Sequence, residues 1–441
     1  MAENKILDIT ILCKVVDNYG DIGFVYRLAR SLSSKKIQSL FPSISIKLRL
    51  VVDNLNSFSK MAPEVLCNMP EQNIDGWTIL DWNNEKICNE LYQINPPDII
   101  LECFQCGRPL WLDNILFDKS NSKTFHIVNI EYLTAEKWAD DFHLLKSGTR
   151  SAFVKKINFM PGYSSKTGWL VLDEPFINYV HEKYSNKENG VSKKIKCRST
   201  SAITALAKYL SAEDISFLAD ENIFNVVVFS YPRNFTSVVS ALDLFQKERQ
   251  KKNSNFKVHV FCASGISYEP FVNSWSEASK PFEVSKLPFL PQTVWDALLC
   301  VSDFNFIRGE DSLSRASLCG VPFMWHAYIQ KEEYQIVKVQ ALLDAMKKFF
   351  LPENFSLLQK YALLYNRNEK NDYGSDTANI MNEVFSKENY SDQDGAEQKS
   401  LLEKLLLNYE EIYKSFENFS KSIESNGNMT SSLINTLISI K

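Results

Sequence analysis

The sequence predicts an α/β protein of two doubly wound, Rossmann-like domains followed by C-terminal helices. Three observations lead to this prediction. The chain has 441 residues, which is too long for a single hydrophobic core. Apolar runs of strand length alternate with helical patterns, as expected when helices cover both faces of a parallel sheet. The alternation stops at a polar, basic stretch, 183–201, and then resumes. We therefore expect domains over 1–182 and 202–350, and a helical extension over 351–441 that packs back on the body.

The first domain begins with a buried strand, predicted over Ile6 to Val16. The strand runs into a loop that holds two acids and two glycines: Asp17, Gly20, Asp21 and Gly23. A helix follows, with its apolar positions on one face: Val25, Leu28, Ala29 and Leu32. Further strands are predicted over 46–53, 77–80, 97–102 and 125–130. Ligands of such folds bind at the carboxyl ends of the strands, which is where the first loop falls.

This first loop permits two interpretations. Its glycines do not follow the G-x-G-x-x-G spacing of dinucleotide-binding folds, so the sequence excludes a simple nicotinamide enzyme. Asp17 and Asp21 fit a ligand-binding role, but they also fit turn and helix-cap positions. The local sequence does not decide between the two.

The second domain repeats the alternation. Strands are predicted over 224–229, 256–261, 282–284 and 300–307, with a helix over 237–249. The last strand leads into Arg308–Ser312, which we expect to form the turn before a helix over 313–319. Such a turn presents backbone N–H groups and the positive end of the helix dipole, which suits a phosphate. Arg308 adds a cationic fork and Ser312 a hydroxyl donor. The alternative is a helix cap, with Asp311 or Ser312 as the N-cap residue.

Composition argues against several classes of protein. The net charge is −4, whereas nucleic-acid binders usually carry a basic balance, so we expect no nucleic-acid partner. No apolar run reaches the ~18 residues of a membrane span, and the N-terminus lacks the pattern of a signal peptide. We therefore expect a cytoplasmic protein with no membrane partner. The nine cysteines lack zinc-type spacing, and for the C-x-x-C pair Cys103 and Cys106 we expect buried, reduced thiols.

Near the C-terminus, apolar residues repeat every three or four positions. They form an amphipathic stripe: Leu402, Leu405, Tyr409, Ile412, Phe416 and Phe419. We expect this stripe to pack onto the body of the protein, with a partner-binding face as the alternative.

Several short motifs occur in one order between about residues 7 and 335. They are Cys13–Gly23 with Arg27–Arg30, Pro97–Pro109, Glu131–Glu136, Pro161–Gly168, and Arg308–Ser312 followed by Gly320–His326. Together they resemble the protein-arginine rhamnosyltransferases that modify bacterial translation elongation factor P. Two positions depart from the expected family pattern: Trp169 stands where we expect glycine, and Ile329 where we expect proline.

The resemblance implies the GT-B glycosyltransferase architecture, in which two Rossmann-like domains face a cleft. The acceptor is then expected on the first domain and the nucleotide sugar on the second. It further implies transfer of L-rhamnose from dTDP-β-L-rhamnose, with inversion, to an arginine of elongation factor P, with no metal or other cofactor. Carried over by motif, the catalytic carboxylates are Asp17, Asp21 and Glu310, with Asp21 as general base. The expected donor-binding residues are Phe229, Tyr231, Phe289, Gln292, Arg308, Asp311 and Ser312.

Other functions stay open on the residues alone. One is a GT-B transferase that uses another nucleotide sugar or another acceptor, and a second is a non-catalytic regulator that binds a nucleotide sugar. Three carboxylates in the expected site argue against the regulator, because binding alone does not need them. A metal-dependent phosphohydrolase would use Asp17 and Asp21 as ligands, but nearby histidines and further clustered acids are missing from the sequence.

Overall fold

The computed structural model describes residues 5–16, 19–188, 198–367, 374–385 and 395–441. The chain forms two compact units. The first unit comprises Met1–Glu174 and Ile423–Lys441, and the second unit comprises Pro175–Ser422. Parallel sheets flanked by helices make up both units, so the predicted α/β class is confirmed. In the described part of the chain, no helix is long and apolar enough to cross a membrane.

The first unit is built on an eight-stranded sheet. Its strands are β1 (Lys5–Cys13), β2 (Ile44–Val52), β3 (Glu71–Ile74), β4 (Trp77–Asp81), β5 (Ile99–Cys103), β6 (Phe125–Ile130), β7 (Lys146–Ser147) and β8 (Val154–Phe159). The strand order is β3-β4-β2-β1-β5-β6-β8-β7, and the pairs are parallel except for β3–β4 and β7–β8 at the two edges. The helices that follow these strands are α1 (Gly20–Leu32), α2 (Lys35–Leu40), α3 (Leu55–Met61), α4 (Glu85–Ile94), α5 (Leu110–Leu116) and α6 (Trp138–Phe142).

The central strands of this sheet are buried on both faces. Ile9 and Ile11 of β1 lie in one hydrophobic cluster with α1, whereas Leu12 lies in a second cluster with α4 and α5. The predicted face of α1 is fully buried in the first of these clusters. Burial on both faces explains why the parallel strands read as continuous apolar runs in the sequence.

The second unit contains a five-stranded parallel sheet. Its strands are β9 (Ile223–Val228), β10 (Lys257–Ala263), β11 (Glu283–Leu287), β12 (Phe304–Arg308) and β13 (Phe323–His326), in the order β11-β10-β9-β12-β13. The helices from here to the C-terminus are α7 (Glu174–Glu188), α8 (Thr200–Leu206), α9 (Ala212–Ala219), α10 (Thr236–Gln250), α11 (Tyr268–Glu277), α12 (Gln292–Val301), α13 (Glu310–Cys319), α14 (Gln335–Met346), α15 (Pro352–Tyr365), α16 (Ser375–Phe385), α17 (Gly395–Leu407), α18 (Tyr409–Asn426) and α19 (Met429–Ile440). Short 3₁₀ turns cover Lys331–Glu333 and Lys347–Phe349.

The division of the chain differs from the predicted ranges 1–182, 202–350 and 351–441. The chain passes from the first unit to the second at Glu174–Pro175, where α7 begins. This helix continues to Glu188 and so includes the first residues of the polar stretch 183–201. Residues 189–197 of that stretch lie outside the described part of the chain. The predicted extension does not stay together either, since α15 to α17 belong to the second unit and α19 to the first.

The C-terminal helices are packed into both units. The amphipathic stripe on α17 and α18 is buried, and Phe416 contacts Phe323 of β13 with ring centroids 5.1 Å apart. The last helix, α19, joins the core of the first unit, where Thr430 Oγ1 lies 2.7 Å from Ser31 Oγ of α1. The stripe therefore serves packing and is not a partner-binding face.

Trp169, the departure from the expected glycine, has a left-handed backbone. Its φ is +66°, a conformation that glycine adopts freely and that strains a bulky residue. The indole lies against Gly427, where an added Cβ would come within 2.5 Å of the ring. The neighbouring Leu170 pairs with Asn428 just before α19. Packing against the chain that leads into α19 thus offsets the strain at Trp169.

Candidate active site

The predicted donor residues gather where the strand order of the second sheet reverses. β10 and β11 extend the sheet on one side of β9, whereas β12 and β13 lie on its other side. Such a reversal opens a crevice at the carboxyl ends of the two strands, which is the usual ligand position in open α/β sheets. Phe229 and Tyr231 follow β9, and Arg308 ends β12. The two strand ends are tied together by Phe229 N–H, which donates to Phe306 O at 2.8 Å.

Arg308 lies over two aromatic rings. Its guanidinium carbon is 4.8 Å from the ring centroid of Phe229 and 4.8 Å from that of Tyr231. Stacking of this kind holds the planar fork of an arginine in one orientation. The contact also shows that both rings support Arg308. Their stacking on a nucleobase stays a prediction.

The turn after β12 is shorter than predicted. Gly309 alone separates the strand from α13, with φ +73° and ψ 159°, and the helix begins at Glu310. The backbone at Gly309 is one that residues with a side chain rarely adopt. Gly309 is also the N-cap, so neither Asp311 nor Ser312 caps this helix, and the alternative interpretation of the motif is wrong. The first N–H groups of a helix point out of its N-terminus, a position that suits an anion.

Two side chains of α12 hold the first turn of α13. Gln292 Nε2 donates to Asp311 Oδ2 at 2.9 Å, and Trp295 Nε1 donates to Ser312 Oγ at 3.2 Å. While the Ser312 oxygen accepts from the indole, its hydroxyl can still donate its proton to another acceptor. Phe289 lies in the loop that leads from β11 into α12 and is 49% exposed.

A buried histidine lies behind this edge of the sheet. His326 Nδ1 is 2.8 Å from Ser230 Oγ, and the imidazole packs against the Tyr231 ring at 5.3 Å. Burial, with the charges of Arg233 and Arg308, lowers the pKa of His326 to about 3. His326 is therefore neutral near pH 7 and adds no charge to the cationic fork of Arg308.

Asp21, one of the predicted acceptor-side carboxylates, lies where the strand order of the first sheet reverses, between β1 and β5. Asp21 is in the first turn of α1 and is 2% exposed. Its Oδ2 accepts from Val16 N–H at 2.8 Å and its Oδ1 from Tyr132 O–H at 3.2 Å. Asp17 lies outside the described residues, and its predicted role stays a prediction.

A second carboxylate, Asp53, holds the same strand exit. Asp53 Oδ1 accepts from Val15 N–H at 2.8 Å, so Asp53 and Asp21 accept hydrogen bonds from consecutive backbone amides. Burial raises the pKa of Asp53 above its usual value. Sequence reasoning assigned no site role to Asp53, Tyr132 or Trp295, because only the tertiary structure shows which residues they contact.

Cys103 of the C-x-x-C pair lies close enough to Asp21 to be affected by its charge. Burial raises the pKa of Cys103 well above its usual value and raises the pKa of Cys106 to about 12. Both thiols are therefore protonated near neutral pH, which disfavours a nucleophilic role. Within the described ranges, no group of three or more His, Cys, Asp and Glu side chains is placed to hold a metal ion.

Both units have an α/β fold with polar residues at the carboxyl ends of the parallel strands. This arrangement is that of a glycosyltransferase of the GT-B class. The family model for Elongation-Factor P (EF-P) rhamnosyltransferase EarP matches residues 9–411. The chain therefore belongs to this family of protein-arginine rhamnosyltransferases.

Individual relatives agree with the family match. A protein-arginine rhamnosyltransferase of Shewanella oneidensis is 30% identical over 347 residues, covering 76% of this chain and 79% of the relative. The Pseudomonas aeruginosa enzyme of the same description is 26% identical over 337 residues, with coverage of 76% and 80%. A solved structure that concerns EarP-mediated arginine glycosylation of translation elongation factor EF-P aligns over 97% of this chain and 98% of that one, with a TM-score of 0.51 and 17% identity. The predicted family and fold class are thus confirmed.

Proposed function

We propose that this enzyme transfers L-rhamnose from dTDP-β-L-rhamnose to an arginine guanidinium of translation elongation factor P, with inversion at the anomeric carbon. The observation that supports the proposal is the end of β12, where Arg308 and Gly309 lead directly into the N-terminus of α13 in a member of the EarP family. An acceptor that works in translation puts the reaction in the cytoplasm.

On the donor side, Arg308 and the first amides of α13 bind the diphosphate, and Ser312 donates to it. These groups stabilise the negative charge that develops on the leaving dTDP, so the proposed reaction needs no metal ion. Asp311, held by Gln292 at 2.9 Å, accepts from a sugar hydroxyl. Phe229, Tyr231 and Phe289 surround the base, with Phe229 and Tyr231 also fixing Arg308.

On the acceptor side, the chemistry calls for carboxylates. An arginine keeps its proton up to about pH 12, and its delocalised nitrogens are poor nucleophiles. A catalyst must hold the guanidinium, polarise it toward one nitrogen and accept a proton as the C–N bond forms. Asp21, fixed by Val16 and Tyr132, is the proposed general base. Asp17 and Glu310 assist as further carboxylates.

Inversion requires one displacement, with the guanidinium nitrogen and the leaving diphosphate on opposite faces of the anomeric carbon. The acceptor carboxylate belongs to the first unit and the diphosphate site to the second. Each group is fixed by its own unit before substrate arrives, which lowers the entropic barrier to the displacement.

The alternative is a transferase of this class that uses another nucleotide sugar or another acceptor. The test is incubation of the enzyme and elongation factor P with dTDP-rhamnose, or with UDP-glucose or GDP-mannose, followed by intact mass of the acceptor. Addition of one deoxyhexosyl group from dTDP-rhamnose alone is expected. Equal addition from another donor would point to that sugar, and no addition from any donor would refute the proposal.

A further inference from the structure

Two motifs from the sequence are Glu102–Phe104 within Pro97–Pro109, and Glu131–Glu136, and their only role described so far is the contact of the Tyr132 hydroxyl with Asp21. Their aromatic residues meet beside Asp21. The rings of Phe104 and Tyr132 are stacked, with centroids 4.2 Å apart and planes 9° from parallel. Phe24 of α1 supports Phe104 from another side at 5.1 Å.

The loop after β5 is strained to hold this stack. Phe104 and Gln105 both have left-handed backbones, with φ +60° and +50°. A non-glycine residue in this region is strained, and such strain persists where the surroundings enforce it. Here Phe104 N–H donates to Ile130 O at 2.7 Å, and Gln105 Nε2 donates to Glu131 Oε1 at 2.6 Å. The backbone is thus strained at two consecutive residues in the conformation that stacks the Phe104 ring on Tyr132.

Tyr132 lies next to Asp21, the carboxylate to which the proposed function assigns the acceptor cation. Phe104 covers one face of Tyr132, yet Tyr132 is still 37% exposed. Its hydroxyl donates to Asp21 Oδ1 at 3.2 Å, so a cation held by Asp21 lies beside the ring. Glu131 precedes Tyr132 in the chain, and its carboxylate accepts from Asn129 Nδ2 at 2.5 Å. A ring beside the Asp21 carboxylate suits a flat cation, which gains from both the charge and the ring quadrupole.

We infer that the Phe104–Tyr132 stack is a platform for the acceptor guanidinium, which lies flat on the outer face of Tyr132 while Asp21 binds its N–H groups. This inference rests on the proposed function. It explains selection of arginine over lysine, because a planar delocalised cation covers the ring whereas an ammonium does not. Tyr132 is then a specificity-determining residue of the acceptor site.

The test is steady-state kinetics of rhamnosyl transfer at saturating dTDP-rhamnose with varied elongation factor P. Tyr132→Leu removes the ring face and is expected to raise the acceptor KM roughly 2- to 30-fold, the usual range of a cation–π contact. Tyr132→Phe and Tyr132→Trp keep a ring face and are expected to hold KM within about threefold of wild type on the same basis, with any effect of the lost hydroxyl falling on kcat. Affinity for dTDP is expected to stay the same in all three variants.

Phe153→Leu is the matched control, because Phe153 is a comparably exposed aromatic residue, with 43% of its surface accessible. It lies just before β8, at the amino end of that strand, whereas Asp21 lies beyond the carboxyl end of β1. Its acceptor KM is expected to equal that of wild type. An unchanged KM in Tyr132→Leu, or an equal rise in all three Tyr132 variants, would overturn the platform while leaving the proposed function intact. If Tyr132→Leu does not fold, a large rise of KM in Tyr132→Phe overturns the platform by itself. Absence of transfer by the wild-type enzyme would overturn the proposed function and the platform together.

Discussion

The replacement Arg308→Ala tests the donor site in most detail. In the structure Arg308 ends β12 at Gly309, and its guanidinium is fixed over Phe229 and Tyr231 at 4.8 Å from each ring. The residue is part of no helix, so its truncation leaves the backbone path of the turn unchanged. The variant therefore removes the cationic fork while the N-terminus of α13 stays in place.

The expected loss follows from the contact that is removed. A hydrogen bond to a charged group contributes about 1.5–3 kcal/mol, which corresponds to roughly a 10- to 150-fold weaker affinity for dTDP. Arg308→Lys retains the charge but not the flat stacking on two rings, so its affinity is expected to fall between those of wild type and Arg308→Ala. Calorimetric titration with dTDP measures both losses directly.

Arg249→Ala is the matched control. Arg249 also lies over an aromatic ring of the second unit, with 5.2 Å between its guanidinium carbon and the Phe245 centroid, but it belongs to the last turn of α10, away from the carboxyl ends of the strands. Its dTDP affinity is expected to match wild type. If Arg308→Ala also binds dTDP as tightly as wild type, Arg308 only fastens the two rings and the diphosphate site lies elsewhere.

Two further predictions concern stability. First, dTDP is expected to raise the melting temperature more than UDP or GDP does, since a ligand that binds only the folded state stabilises it, and equal shifts from all three nucleotides would argue against a thymine-selective site. Second, acid is expected to destabilise the enzyme through two buried histidines. Burial lowers the pKa of His259 to about 4 and, with Arg233 and Arg308, that of His326 to about 3. The unfolded chain binds these protons near pH 6.5 and the folded chain does not, so stability falls as pH drops from about 6.5 toward 4, by up to about 1.4 kcal/mol per pH unit for each histidine. Denaturant melts of wild type and His259→Gln between pH 7 and 4 measure this, and equal slopes would refute a role of His259.

Much of the fold could be predicted because buried parallel strands and amphipathic helices leave strong local patterns. The strand predicted over 125–130 coincides with β6, and the helix predicted over 237–249 lies within α10. The short edge strands β3 and β7 were not predicted, because a few half-exposed residues carry too weak a pattern. The sequence pattern of α19 shows an apolar face but not the surface against which this face packs. The packing of α19 in the first unit therefore could not be predicted from the sequence.

The candidate site was predictable only in part. The phosphate-type motif at Arg308–Ser312 was visible because a glycine between a strand and a helix has a local signature. The contacts that complete it were not visible: Trp295 reads as an apolar residue of α12, and only the tertiary structure brings its N–H to Ser312. The same holds for Tyr132, whose link to Asp21 spans much of the first unit's sequence.

The central claim is that Asp21 accepts the proton of the acceptor arginine. Asp21→Asn tests it cleanly because the amide fits the same two contacts: its oxygen accepts from Val16 N–H, and its nitrogen donates to the Tyr132 hydroxyl. Asparagine also serves as well as aspartate near a helix N-terminus, so folding is expected to survive. The change removes the charge and the basicity alone.

The decisive measurement is the intact mass of elongation factor P after incubation with dTDP-rhamnose and either wild-type or Asp21→Asn enzyme, with dTDP affinity measured on the same preparations. The account predicts that wild type adds one rhamnosyl group, that Asp21→Asn is slower by at least ~10²-fold, as expected for loss of a general base, and that both bind dTDP equally. Rhamnosylation by Asp21→Asn at near wild-type rate would contradict the assignment of Asp21 as the base.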